Sequence, residues 1–408
     1  MKLFRLSALA LVLVLIAGGA GASDDKDPVP LTPLVRPNPA EKFETTHKVV
    51  GAIEVKGENN LRLQTLCLDT KGRVVGLVAP PKPFGPPTKG ATAEIHLFEA
   101  DGKAIKSWKV DFHASAVNCG PDGHIYVAGD GKLAKFDADG KQVGATAEMP
   151  HVAAMLNDKD ALKARAEKQL KKEKEQMVQI YGEARKQFAE QIKTLEDKKP
   201  EDRTKAEVRQ LEQFKSLVKQ YEQIEEQYKK KTVEQVIEEG TGRMRMANGL
   251  AVSGKDVFVA CGDLGYGFSI WRFGHDLKEP KLVLGDVSGC CGQMDIQCAG
   301  SDLLVAENTK HQFARYDRDG KKLGGYGKRG EDTDPKCFGG CCNPMNVRAI
   351  STGDVYTAES EGIIKRFNAK GEFVETAAVV KLTGGCKDVA VAVSADGSKI
   401  YFCDMPNS

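Results

Sequence analysis

The sequence predicts an all-β fold, a six-bladed β-propeller, with an antiparallel α-helical coiled-coil hairpin inserted into it. Two observations lead to this prediction. A strand-rich unit recurs along most of the chain. One segment of very different composition, rich in charge and free of cysteine, interrupts the recurrence once. Repeats of this length are typical of solenoids and propellers, in which each unit buries its apolar face against its neighbours.

The repeat is clearest in the two stretches that begin at Gly292 and Asn343. Each holds a strand, a tight turn, a second β-rich strand, a third strand and an Asp/Asn-x-x-Gly sequence. The turn before the second strand recurs at Gly72, Gly123, Asp256, Asp302, Gly353 and Gly397. Without the charged segment, the spacings are 51, 50, 46, 51 and 44 residues. We expect six such units to close into a ring, because an open array would leave exposed strand edges.

The charged segment runs from residue 158 to residue 240 and holds 20 Lys or Arg and 19 Asp or Glu. Charges of both signs are interleaved, which favours i,i+4 pairs on a helix. Its apolar residues recur every three or four positions, as in a coiled-coil stripe. Because Pro200 interrupts the segment, we expect two antiparallel arms of about 38 residues, each about 57 Å long. Such a hairpin is either a solvated finger or an arm that binds a protein partner or mediates oligomerisation.

The first 22 residues have the pattern of a secretory signal peptide. Lys2 and Arg5 precede an apolar run, and small residues at 20–22 form a cleavage site. Residues 23–42 are rich in proline and are expected to form a flexible leader. We therefore expect a secreted or periplasmic mature chain without a membrane span, in a compartment that favours disulfides. The net charge of +2 argues against nucleic acid as a partner.

The predicted domain order places blades one and two at 43–157, the hairpin at 158–240 and blades three to six at 241–408. The sixth unit stops after its second strand. The strand-like segment at 48–55 is expected to help close the ring. Two alternatives remain for the sixth unit: a short blade, or a chain that continues beyond Ser408.

The best copies of the repeat resemble NHL-type repeats, in which Pro-x-Gly-Val-x-Val, a turn, an apolar strand and Ala-Asp precede a phenylalanine strand and Asp-x-x-Gly-Lys. Residues 247–255 (ANGLAVSGK) resemble the Asn-Gly-Leu-Ala-x-Ser-x-Asp-Gly-Lys stretch of SMP-30/gluconolactonase-like propellers. Both resemblances imply a six-bladed propeller. They imply less about function, because such propellers serve as binding platforms, lyases, lactonases and scaffolds.

The second resemblance also implies a divalent metal, Ca²⁺ or Zn²⁺, at one mouth of the central channel. In that family the Asn of this motif binds the metal with an Asp one blade later and a Glu in the first blade. Counting back from each turn gives six polar positions, which we call the ring positions: Gln64, Ser115, Asn248, Asp295, Asn346 and Asp388. Asn248 and Asp295 match the family's Asn and Asp. Gln64 replaces its Glu, which removes a charge that a hard cation favours.

The candidate metal ligands are therefore Asn248, Asp295, Gln64, Asn346 and Asp388, and Asp388 is also the candidate catalytic base. The alternative is a hydrated polar lining without metal. Glu307, Glu359 and Asp404 recur at the end of the second strand and are expected to tie the turn that follows.

The chain has 11 cysteines, and the pattern Cys-Cys-x-x-Met-Asp/Asn occurs twice, just before two ring positions. We expect six cysteines near the channel mouth: Cys290, Cys291, Cys337, Cys341, Cys342 and Cys386. Disulfides between loops, a thiolate metal site and redox-active thiols are the three open roles. The remaining five, expected to pack as small core residues, are Cys67, Cys119, Cys261, Cys298 and Cys403.

Three functions remain. The first is an exported binding or assembly module, with the hairpin as an arm and the channel mouth as a site for a small-molecule ligand. The second is a divalent-metal-dependent hydrolase or lyase of the SMP-30 type. The third is a thiolate metal-binding or redox protein. The sequence holds no nucleotide-binding or nucleophile motif, which leaves the question of an enzyme open.

Overall fold

A computed structural model describes residues 43–403, with gaps at 56, 58–60, 81–89, 266, 291–292, 332–333, 341 and 381–388. The expected signal peptide and leader lie outside the described residues. Several residues named above also lie outside them: Cys291, Gly292, Cys341, Cys386, Asp388, Asp404 and Ser408.

The described strands form six antiparallel sheets, each built from strands that are consecutive in the chain. The sheets of the first two blades contain β1 (Arg62–Leu68), β2 (Val74–Ala79), β3 (Ala93–Phe98), β4 (Ala104–Val110), β5 (Ala116–Cys119), β6 (Ile125–Gly129), β7 (Lys132–Phe136) and β8 (Ala147–Glu148). The next two contain β9 (Ala247–Val252), β10 (Asp256–Gly262), β11 (Gly267–Gly274), β12 (Lys281–Ser288), β13 (Ile296–Ala299), β14 (Asp302–Glu307), β15 (Gln312–Tyr316) and β16 (Lys322–Tyr326). The last two contain β17 (Asn346–Ala349), β18 (Val355–Ala358), β19 (Ile363–Phe367), β20 (Phe373–Val379), β21 (Val391–Val393) and β22 (Ile400–Phe402).

The sheets close into a ring through their first strands. β1, β5, β9, β13, β17 and β21 contact one another in chain order, and β21 contacts β1. Apolar residues fill the spaces between blades; for example, Val75 and Leu77 of blade one share a buried cluster with Val117 and Val127 of blade two. Each blade thus buries its face against the next, as repeat architectures require. The predicted β-propeller fold is confirmed, with five four-stranded sheets and one two-stranded sheet among the described residues.

The turn between the first two strands of a blade explains the spacing of the repeat. Gly72, Gly123, Gly353 and Gly397 have φ angles between +72° and +86°. This left-handed region is open to glycine without a steric penalty. In four of the six blades, glycine therefore provides the tight reversal that follows the innermost strand.

The sixth blade departs from the expected closure, because residues 48–55 form no strand. Val49 and Val50 are 72% and 101% exposed, so this segment gains little from burial. His47 anchors it instead. Its backbone N–H donates to Ala377 O at 2.8 Å, and its Nε2 lies 2.9 Å from Gly397 O.

Four helices connect β8 to β9: α1 (Pro150–Asn157), α2 (Lys159–Glu196), α3 (Lys205–Lys230) and α4 (Val233–Arg245). The helical region is longer than residues 158–240, and its second half is split. Thr204 caps α3 with Glu207, and Thr232 caps α4 with Gln235, each in a capping box. Two helix starts therefore replace the single second arm of the prediction.

α2 and α3 run side by side in opposite directions, because Arg185 pairs with Glu225 at 2.8 Å and Lys198 pairs with Glu207 near the connection. Their seam contains Tyr181, Phe188 and Tyr221; the centroid of the Tyr221 ring lies 5.5 Å from that of Tyr181 and 5.9 Å from that of Phe188. Within the described residues, no helix is both long and apolar enough to cross a membrane.

The base of α2 is attached to the propeller. Leu162 and Ala166 of α2 pack with Val236 of α4 in a buried cluster that also contains core residues of blades two and three. Arg243 of α4 donates to Leu264 O at 3.1 Å. Because α4 leads directly into β9, where Asn248 lies, the helices stand on the face of the propeller that carries the ring positions.

Candidate functional site: the channel mouth and the cysteine loops

The ring positions surround a narrow cavity at the start of the innermost strands. Four of them line it, Ser115, Asn248, Asp295 and Asn346, together with Thr65 and Arg348. Its volume is about 10 Å³, which is room for about one water molecule. A cavity of this size is too small to admit a small-molecule ligand.

Gln64 does not line the cavity as the repeat predicts. The pairing of β1 with β2 shifts register between Leu63 and Thr65, so Gln64 lies at a bulge. Its Nε2 donates to Arg62 O at 3.1 Å and to Ala79 O at 3.3 Å. Thr65 lines the cavity in its place. The structure therefore separates Gln64 from the other described candidate ligands.

Asp295 is held by an ion pair with Arg348, a residue that the motif comparison missed. Asp295 Oδ2 lies 2.5 Å from Arg348 Nη1 and accepts a hydrogen bond from the backbone N–H of Val347 at 2.8 Å. Both charged side chains are 10% exposed. The alternation of strand residues could have revealed Arg348, because it lies two positions after Asn346 in β17. A cation at Asp295 would have to compete with this guanidinium.

Three ring side chains bind the innermost strand of the next blade. Ser115 Oγ donates to Ala247 O at 2.8 Å and accepts from Ala247 N at 3.1 Å. Asp295 accepts from Val347, and Asn346 Oδ1 accepts from Val391 N at 3.3 Å. These hydrogen bonds explain why the ring positions are polar: they satisfy backbone groups where blades meet.

No group of three or more His, Cys, Asp or Glu side chains in the described part of the chain is arranged to hold a metal ion. Asn248 and Asn346 line the cavity with Asp295, but Asp295 is already paired there with the guanidinium of Arg348. Asp388, the remaining candidate, lies outside the described residues. The donor set that the structure describes therefore fits an internal ion pair and interblade hydrogen bonds.

The cysteine loop before β17 packs on a buried ion pair. Lys365 Nζ lies 2.5 Å from Glu359 Oε1, and the two side chains are 2% and 1% exposed. Lys365 also donates to Cys337 O, and the backbone N–H of Gly339 donates to Glu359 Oε2 at 3.1 Å. Glu359 therefore fixes the preceding loop, in addition to the turn expected from its repeat position.

The cysteines of the predicted cluster that the structure describes lie in the loops that precede innermost strands. Cys337 and Cys342 are buried, and Cys290 is half-buried. Cys290 is not part of a strand, and its backbone N–H donates to Asn308 Oδ1 at 3.0 Å. Burial, together with the Sγ–H bond to Asp334 Oδ2 at 3.0 Å, raises the pKa of the Cys337 thiol. A raised pKa lowers the thiolate fraction of Cys337 at neutral pH, which disfavours this thiol as an activated nucleophile.

Glu359 gives the molecule a testable pH dependence. Burial raises its pKa from the ordinary 4.5 to about 7, against the opposing effect of Lys365. Because the folded state then binds this proton more tightly than the unfolded state, stability falls as pH rises from about 4.5 through about 7. We expect Glu359→Gln to remove about 3 kcal/mol of this decline. Urea unfolding between pH 4.5 and 8 measures it.

The matched control is Glu331→Gln, which changes an exposed carboxylate in the neighbouring loop and should leave the decline in place. An unchanged decline in Glu359→Gln would show that another group causes it.

No family model and no curated protein matches this chain. Solved structures do match. They include a protein of unknown function from Bacteroides caccae, 10% identical over 78% of this chain and 82% of the other, with a TM-score of 0.38. A calcium-binding protein, regucalcin, from Agrobacterium tumefaciens is 11% identical over 84% of this chain and 82% of its own, with a TM-score of 0.39. The WD40 repeats of RRP9 are 10% identical over 83% and 72%, with a TM-score of 0.42.

Proposed function

We propose that this chain is an exported β-propeller of the NHL-like type that acts as a binding and assembly module. The outer parts of α2 and α3, residues 174–230, would be its arm for a protein partner, and we call this part the helical arm. The ring face of the propeller, with its cysteine loops, would carry the ligand site. Export rests on the signal-peptide pattern of the first 22 residues.

One observation carries the proposal: the helical arm has a complete apolar seam of its own. The buried cluster around Tyr181, Phe188 and Tyr221 contains residues of α2 and α3 alone. Ordering more than 50 residues outside the propeller core has a large entropic cost. The outer positions include apolar side chains that are about two-fifths exposed, Val178, Ile180 and Val208. A rigid, charged and partly apolar arm is suited to contact with another protein.

The same geometry disfavours the metal-dependent hydrolase. Hard cations bind several carboxylate or carbonyl oxygens, and metal-bound water needs an open ligand position. Asp295 already forms an ion pair with the guanidinium of Arg348, and Gln64 is turned away from the cavity. A binding surface needs neither a metal nor a base at this place.

Truncation of the arm tests the proposal. Lys174 Nζ donates to Lys229 O at 2.9 Å, so the two helices are adjacent there. Replacing residues 175–228 with a short Gly-Ser loop should leave the propeller folded. In extracts of the cells that make the protein, we expect the full chain to elute in a larger complex and the truncated chain to elute as a monomer. Identical elution of the two folded chains would contradict the proposal.

A further inference from the structure

Two cysteines that were expected to pack separately in the core meet between blades one and two. Cys67 lies in β1 and Cys119 is the last residue of β5, and these innermost strands contact each other. Their Sγ atoms are 3.4 Å apart. Cys67 is 5% exposed, whereas Cys119 is partly exposed. Both lie next to the turns at the end of the channel opposite the ring positions.

We propose that Cys67 and Cys119 form a disulfide when the protein is oxidised, and that this bond links blade one to blade two. A disulfide requires an S–S distance of about 2.05 Å, so the sulfur atoms must approach by roughly 1.4 Å. Rotation of the two side chains about χ1 can move their sulfur atoms by this amount. The site is separate from the six cysteines expected near the ring face.

The reaction is a thiol–disulfide exchange with a small disulfide such as glutathione disulfide. The Cys119 thiolate, the more accessible of the two, attacks one sulfur of glutathione disulfide and releases one glutathione thiolate. The Cys67 thiolate then attacks the Cys119 sulfur of the mixed disulfide and releases the second. Two cysteine thiols are oxidised, one glutathione disulfide is reduced to two glutathiones, and these take up the two protons.

The surroundings of the two cysteines affect how fast the disulfide forms more than whether it forms. The hydrogen bond with Cys67 and then burial raise the pKa of the Cys119 thiol. A thiol with a raised pKa is a small fraction thiolate at neutral pH, so oxidation should be slow and should accelerate with pH. A slow, partly buried pair of this kind is typical of a structural bond rather than of a redox catalyst.

The bond would close a loop of 52 residues that contains the outer strands of blade one. Closing a loop of this length restricts the unfolded chain strongly. The expected result is a rise in Tm of roughly 5 °C for the oxidised over the reduced protein.

The experiment uses the full chain, reduced, desalted and incubated with glutathione disulfide at pH 8. A non-reducing peptide map should show the peptide of Cys67 linked to that of Cys119. The Tm increase should persist in the control Cys261→Ser, which changes a buried cysteine of β10. It should be lost in Cys67→Ser and in Cys119→Ser.

Two results would overturn the proposal: a map of the folded, oxidised protein in which Cys67 and Cys119 are both still alkylated as thiols, or one in which Cys119 carries only glutathione. The wild-type map decides the question even where a serine variant does not fold.

Discussion

Asp295→Ala is expected to lower the free energy of unfolding by about 3–5 kcal/mol. The change leaves the guanidinium of Arg348 buried without its counter-ion. It also leaves the backbone N–H of Val347 without the carboxylate that it donates to. Urea unfolding at neutral pH measures the loss.

The double variant Asp295→Ala/Arg348→Ala distinguishes the loss of this ion pair from the general cost of shortening a side chain. Because it removes the stranded charge together with its partner, we expect it to be more stable than Asp295→Ala alone. Purely additive losses in the cycle would show that the two residues are not coupled. A gain of stability from millimolar Ca²⁺ that disappears in Asp295→Ala would favour the metal site instead.

Tyr221→Ala is expected to unfold the helical arm while the propeller stays intact. Tyr221 is fully buried between α2 and α3 and contacts the rings of Tyr181 and Phe188. Loss of a buried aromatic side chain costs about 3–5 kcal/mol, and helices in proteins owe most of their stability to packing of this kind. Hydrogen exchange should show rapid labelling of both arm helices and slow labelling of β5 and β9.

The matched control is Val208→Ala in α3, because Val208 is 44% exposed. It should leave the exchange of the arm nearly unchanged. Slow exchange throughout the arm in Tyr221→Ala would mean that the stability of the arm does not depend on the packing of Tyr221.

The β-propeller architecture was predictable because the same sequence features recur in successive blades. The turn before the second strand recurs at nearly constant spacing in all six units, and four of them have a glycine there with a positive φ. The break between α3 and α4 was also readable in principle. Thr232 and Gln235 have the spacing of a capping box, and this signal outweighs the continuous apolar stripe.

The chemistry of the ring was less predictable, because it depends on single-residue register. The bulge at Gln64 turns one ring side chain away and brings in Thr65. A repeat alignment assumes equal spacing and cannot detect such a bulge. Arg348 has no counterpart in the motif, so its pairing with Asp295 appears only when blades four and five are side by side.

The contact between Cys67 and Cys119 was hidden for the same reason. The two residues are 52 positions apart and become neighbours only through the ring of innermost strands. Their positions within predicted inner strands favoured packing as small core residues, which is common for cysteine.

Site-specific photo-crosslinking in the cells that make the protein tests the central claim most directly. A photoreactive residue would replace Val178 or Val208 on the helical arm or, as a control, the exposed Lys71 in the turn of blade one at the opposite face. The binding-module account predicts that both arm positions crosslink to one and the same protein and that Lys71 does not. Crosslinks that are absent from the arm, or equally abundant at Lys71, would contradict it.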